Sequence, residues 1–176
     1  MADRVSKSQK WLIQGQVEYF TPFTMLWVAL LNWCREQDDF AENNNTDNSI
    51  IEYLKNTSDS DIREHFTRKL RTLDEFRRNL GDLAAELEDT PLLNNQETRI
   101  DFTDLKATQR GEGYECSRYK FTYSENDIYD RLLDCIYQVR CNYIHGNFDP
   151  DDQGTRTINE KSYHLLNTLL REIIEI

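Results

Sequence analysis

The chain contains no apolar run long enough to cross a bilayer. Its longest, MLWVALL from Met25 to Leu31, falls far short of the roughly 20 residues that a membrane helix needs, so no transmembrane span and no membrane partner are expected. The charged start, MADRVSKSQK, is followed by neither an apolar h-region nor a small-residue cleavage site, and the chain therefore reads as cytoplasmic. The four cysteines, Cys34, Cys116, Cys135 and Cys141, lack CxxC spacing. That argues against a zinc site, and in a cytoplasmic setting they stay reduced. Cys135 falls on an apolar helix face and reads as a small buried hydrophobe. Glycine-rich phosphate loops, GxSxG elbows and HExxH pairs are missing as well, so no metal or cofactor is expected and other enzyme classes have no local support.

Basic charge is also scarce. A net charge of −11 excludes a surface that as a whole adheres to nucleic acid or to an anionic membrane, so any such contact must be local. Asp61–Leu80 is such a locality, with six Arg/Lys (Arg63, Arg68, Lys69, Arg71, Arg77, Arg78) against four Asp/Glu. Two readings stand for this segment: a solvated face, or an RNA track led by Arg68 and Lys69.

What is present suits one globular domain over residues 1–176. Apolar residues make up 38% of the chain, including nine Tyr, eight Phe and three Trp, and 30% is charged. That is enough for one core under a solvated exterior.

Helical periodicity dominates. In TPFTMLWVALLNWC, Phe23, Leu26, Trp27, Leu30, Leu31 and Cys34 recur at helical spacing, with Thr21 as a cap and Pro22 at the first helical position. A shorter helix is predicted over Lys7–Tyr19, then a loop at Asp39–Asn48, then a short helix at Ser49–Lys55 carrying Ile50, Ile51 and Leu54 inward. Ile62, Phe66, Leu70, Leu73, Phe76 and Leu80 form one continuous stripe, with Gly81 as its stop.

Periodicity then fades. Asp89–Lys120 reads as a long irregular connection in which RIDFTDLK and YKFTYS have strand-like alternation. Ser124 caps the next helix, whose apolar face is Ile128, Leu132, Ile136, Val139 and Tyr143 and whose stop is Gly146. After the turn NFDPDDQGT, Tyr163, Leu166, Leu169, Leu170 and Ile173 mark a last helix. The stripes must bury against one another, which predicts an all-α bundle of about four to five helices with a long irregular insertion before the helix that ends in VRCNYIHG.

In that ending, Arg140 and His145 stand five positions apart, directly before Gly146. By chance the spacing alone is cheap. Its placement at the C-terminus of a strong helix adds weight, because the helix dipole there favours an imidazolium. His65 and His164 have no second ligand or nucleophile at local spacing and read as structural.

With Arg140, four intervening residues and His145, the chain resembles the HEPN superfamily, small up-and-down helical bundles sharing an arginine, four to six residues, and a histidine. EYFTPFTMLWVALLNW is similar to the aromatic first helix of members whose motif reads RNNLFHG, and VRCNYIHG aligns with that version without gaps. Where those members have asparagine directly after the arginine, this chain has Cys141, while Asn142 matches the next position.

The resemblance implies a metal-independent endoribonuclease in a defence or toxin–antitoxin setting. His145 would act as proton acceptor and Arg140 would stabilise the phosphorane, with Asn142 and Tyr143 in support. It further implies a homodimer with a composite site at its interface, an RNA substrate, and an antitoxin or regulatory protein as partner. The alternative is a catalytically silent module of the same type that binds nucleotide, RNA or a protein partner.

Overall fold

The structure is a computed structural model that describes residues 19–37, 40, 46–57, 61–94, 96–105, 113–121, 123–149 and 151–174. It is a mostly helical bundle, as the stripes require. No helix among the described residues is long and apolar enough to cross a membrane.

Helix α1 (Phe20–Arg35) buries Phe23, Trp27, Leu30 and Cys34, the predicted face. Its start differs from the expectation. Tyr19 is the N-cap and no side chain caps the helix, so Thr21 does not. Pro22 sits inside the first turn, where backbone N–H groups have no intrahelical acceptor and the missing donor costs nothing. The helix expected over Lys7–Tyr19 lies outside the described residues, apart from Tyr19 itself.

Helix α2 (Asp47–Asn56) starts earlier than predicted because Thr46 and Ser49 form a reciprocal capping box. Ile50, Ile51 and Leu54 are buried, as their spacing demands.

The stripe from Ile62 to Leu80 is two helices, not one: α3 (Asp61–Thr72) and α4 (Asp74–Asp89). The chain breaks at Leu73, whose backbone is extended (φ −112°, ψ 104°). The Arg77 guanidinium folds back over the break and donates to the carbonyls of Leu70 (2.9 Å) and Arg71 (3.0 Å), closing the C-terminus of α3.

Gly81 is not a stop either, since α4 continues through it to Asp89. Its reason is packing. A Cβ at Gly81 would lie 2.1 Å from the carbonyl oxygen of Cys116, so only glycine lets that segment lie against α4.

This makes a sharp prediction. In an open helix Gly→Ala gains up to about 1 kcal/mol, whereas here Gly81→Ala is expected to cost about 1–3 kcal/mol through overpacking against backbone. Thermal melting decides by its sign, and a higher melting temperature would mean that the close approach is wrong.

The expected irregular connection contains two short antiparallel ladders. Strand β1 (Leu92–Leu93) pairs with β2 (Arg99–Ile100), and β3 (Tyr114–Cys116) pairs with β4 (Tyr119–Phe121). Three of the four lie at buried anchor points: Leu92, Cys116 and Phe121 are inaccessible, and Phe121 packs on Phe102 at 5.6 Å. RIDFTDLK and YKFTYS, whose alternation is strand-like, supply β2 and β4, whereas their partners β1 and β3 carry too little alternation to be read from a sequence.

Helix α5 (Glu125–Ile144) begins at Ser124, whose hydroxyl accepts from the Asp127 N–H, and buries Ile128, Leu132, Ile136, Val139 and Tyr143 as predicted. Helix α6 (Gln153–Ile173) begins at Asp152, whose carboxylate accepts from the Thr155 N–H at 2.6 Å. Of its predicted stripe, Leu166, Leu169 and Leu170 are buried, and Tyr163 and Ile173 pack at the edge of the core. Helix α5 packs against α2, α3, α6 and the first ladder. Around Tyr129 the rings of Phe66 (5.2 Å) and Phe76, itself 5.7 Å from Phe66, join three helices into one core.

Candidate functional site

The end of α5 is a Schellman turn. Gly146 takes φ +63°, its N–H donates to the Tyr143 carbonyl, and the Asn147 N–H donates to the Asn142 carbonyl at 2.9 Å. His145 is therefore the C-cap, and its own N–H reaches the Cys141 carbonyl. Gly146 has a purely geometric reason, the left-handed conformation that this turn needs.

Helix geometry separates the two motif residues. Five positions turn the direction by about 500°, a net 140°, whereas from residue 138 to residue 145 the net turn is only about 20°. Gln138, Asn142 and His145 thus share one face of α5, and Arg140 lies on another.

Arg140 faces the start of α2, where its guanidinium is ion-paired with the Asp47 carboxylate. Its Nε is buried and has no hydrogen-bond partner among the described residues. The capping box at Thr46 sets the direction of α2 and so delivers Asp47 to this arginine.

His145 is exposed and lines a cleft of about 620 Å³. The floor of the cleft is the shared face of α5, with Gln138, Cys141 and Asn142. One side comes from the start of the first ladder, including Pro91, Leu93 and Asn94. The turn after α5 adds Asn147, Phe148, Asp149 and Asp152. Arg140 does not line it.

The supporting residues divide in the same way. Asn142 is buried on the cleft floor, and its Oδ1 accepts from Gln138 Nε2 (3.3 Å) and from Asn147 Nδ2 (3.4 Å). Tyr143 points inward, with ring centroids 4.8 Å from Phe20 and 5.0 Å from Phe148. Burial raises its hydroxyl pKa far above the usual tyrosine range. The Tyr137 hydroxyl is pushed up to about 12, by burial first and then by its hydrogen bond with Cys141. Neither phenol can serve as a base near neutral pH. Histidine is the side-chain type suited to that task.

The segment expected to guide RNA is largely occupied within the chain. Arg68 and Lys69 both bind the carboxylate of Glu172 on α6, and His65 approaches the same group at 3.0 Å. Hydrogen bonding from Lys69 above all, and then from Arg68, lowers the Glu172 pKa to about 2. Arg71 forks onto Glu125. Arg63 is buried, bonded to Asn126 (3.0 Å) and Asp130 (3.2 Å), and lies 4.5 Å from the centre of the Tyr129 ring. Half of the Arg68 side chain remains accessible, at 50%, so a further contact there would have to share its charge with Glu172.

Cys135 is fully buried, the small hydrophobe that its position on the stripe predicts, and burial raises its thiol pKa. His164 packs edge-on against Tyr19 (5.4 Å) and Tyr163 (5.2 Å). Among the described residues, no group of three or more His, Cys, Asp and Glu is arranged to hold a metal ion.

Sequence reasoning missed Asp47 and Gln138. Nothing in the local pattern marks Asp47, which sits inside what reads as loop composition. Gln138 did carry a signal, a polar residue seven positions before His145 and therefore on nearly the same face of the helix. Compared with models of protein families, with curated proteins and with solved structures, the chain matches none of them.

Proposed function

We propose that the protein is a metal-independent endoribonuclease of HEPN type that works as a cytoplasmic homodimer in a defence or toxin–antitoxin setting. The observation that carries this reading is His145, exposed on the rim of a cleft at the C-terminus of α5. There an imidazole can take the proton of a ribose 2′-OH as its oxygen attacks the adjacent phosphorus. The bond to the 5′-oxygen then breaks, that oxygen takes up a proton, and a 2′,3′-cyclic phosphate remains. Arg140 would stabilise the charge that develops on the phosphorane, and since it faces away from its own chain's cleft, it would do so for the cleft of the partner copy.

A second reading rests on the Arg140–Asp47 ion pair. An arginine already held by a carboxylate is a structural residue, and the chain would then be a silent module that binds nucleotide, RNA or a protein.

Incubating the purified protein with RNA in excess EDTA tests the first reading. The expected result is cleavage that leaves cyclic phosphate or 3′-phosphate ends. Loss of cleavage in chelator with recovery on added metal sinks the mechanism, and intact RNA under all conditions favours the silent module.

A further inference from the structure

The floor of the cleft carries an unfinished hydrogen-bond pattern. Gln138 and Asn142 are 5% and 6% exposed, yet neither amide has an atom that is both buried and without a partner, so what they leave unbonded opens onto the cleft. Both N–H donors that reach Asn142 Oδ1 come from amides, Gln138 Nε2 and Asn147 Nδ2. Those bonds leave Gln138 Oε1 and Asn142 Nδ2 without partners among the described residues. Flipping all three amides together preserves the network and merely exchanges the two roles. Either way, one acceptor and one donor remain, four residues apart on one face of α5.

The charge around this pair decides what it can receive. Asp149 and Asp152 line the cleft, and no Lys or Arg is among its described lining residues, so a phosphate is repelled. A cation is the lesser fit, because both carboxylates already accept backbone N–H groups, from Asp151 at 3.0 Å and from Thr155 at 2.6 Å. The open acceptor and donor suit a neutral, flat group that offers a donor beside an acceptor. Pro91, Leu93 and Phe148 add apolar surface around it. Every nucleobase has such an edge, and side-chain amides pair with it in two-bond fashion.

We propose that the cleft beside His145 is a nucleobase pocket, with Gln138 and Asn142 bonding the base edge and the phosphate left outside. The biological meaning rests on the ribonuclease reading: a base seated there brings its ribose to the rim, where His145 stands. The pocket would then choose the nucleotide whose 2′-OH attacks.

The test is a titration of the wild-type protein followed through its side-chain amide NMR signals. Neutral ribonucleosides are expected to shift the signals of Gln138, Asn142 and Asn147, while inorganic phosphate and ribose 5-phosphate leave them in place. Gln138→Met, checked for folding by its melting curve, is expected to weaken nucleoside binding by up to about tenfold, the upper end for losing one of the two hydrogen bonds.

The pocket is overturned if nucleosides shift none of the three signals, or if phosphate shifts them as strongly. If Gln138→Met does not fold, the wild-type titration still decides. Nucleoside binding without RNA cleavage would sink the nuclease reading alone, and cleavage without nucleoside binding would sink the pocket alone.

Discussion

Replacing His145 by alanine is expected to slow RNA cleavage by about 10²–10⁴-fold, the usual worth of one positioned general base. Stability should hardly change. The side chain is exposed, and what His145 gives the fold is a backbone N–H on the Cys141 carbonyl, which alanine retains. An exposed change of this kind stays within about 0.5 kcal/mol. Cleavage rates and melting curves on the same preparation therefore separate chemistry from folding. An unchanged rate would remove His145 from the reaction.

Arg140 offers no such clean separation. Truncating it leaves Asp47, a carboxylate 18% accessible, without its guanidinium, so lost stability and lost chemistry would appear together. Arg140→Gln is the better variant, because its amide can still donate to Asp47.

The difference between these two residues shows how far the sequence could be read. Apolar stripes are legible because burial acts on the whole face of a helix, and Phe23, Trp27, Leu30 and Cys34 all lie where 3.6-residue spacing puts them. Caps built from neighbouring residues are legible in part: Ser124 and Gly146 act where the sequence places them, whereas Thr21 does not cap its helix and the box at Thr46 lies inside what reads as loop. What fails is anything set by a distant partner. Gly81 resembles a stop but answers to Cys116, thirty-five positions away. Leu73 continues an apolar stripe, yet the chain breaks there under the Arg77 side chain. Arg68 and Lys69 look like free charge until Glu172 is placed beside them. For the site, the same rule made His145 visible and hid Asp47.

The geometry of α5 leads to a second large effect, now between chains. Because Arg140 faces α2 and His145 faces the cleft, one chain does not bring them together. A two-fold axis can let the arginine of one copy serve the histidine of the other. Arg140→Gln and His145→Ala proteins, each expected to be inactive alone, should then regain activity when unfolded and refolded together. Random pairing makes about half of the dimers mixed, and each mixed dimer keeps one complete site of two, so recovery to about a quarter of the wild-type rate is expected for a two-fold assembly. Native mass spectrometry establishes that mixed dimers have formed. If they form and stay as inactive as their parents while the wild type cleaves RNA, the cross-chain site is wrong, and the reaction needs both residues from one chain or all four groups at once.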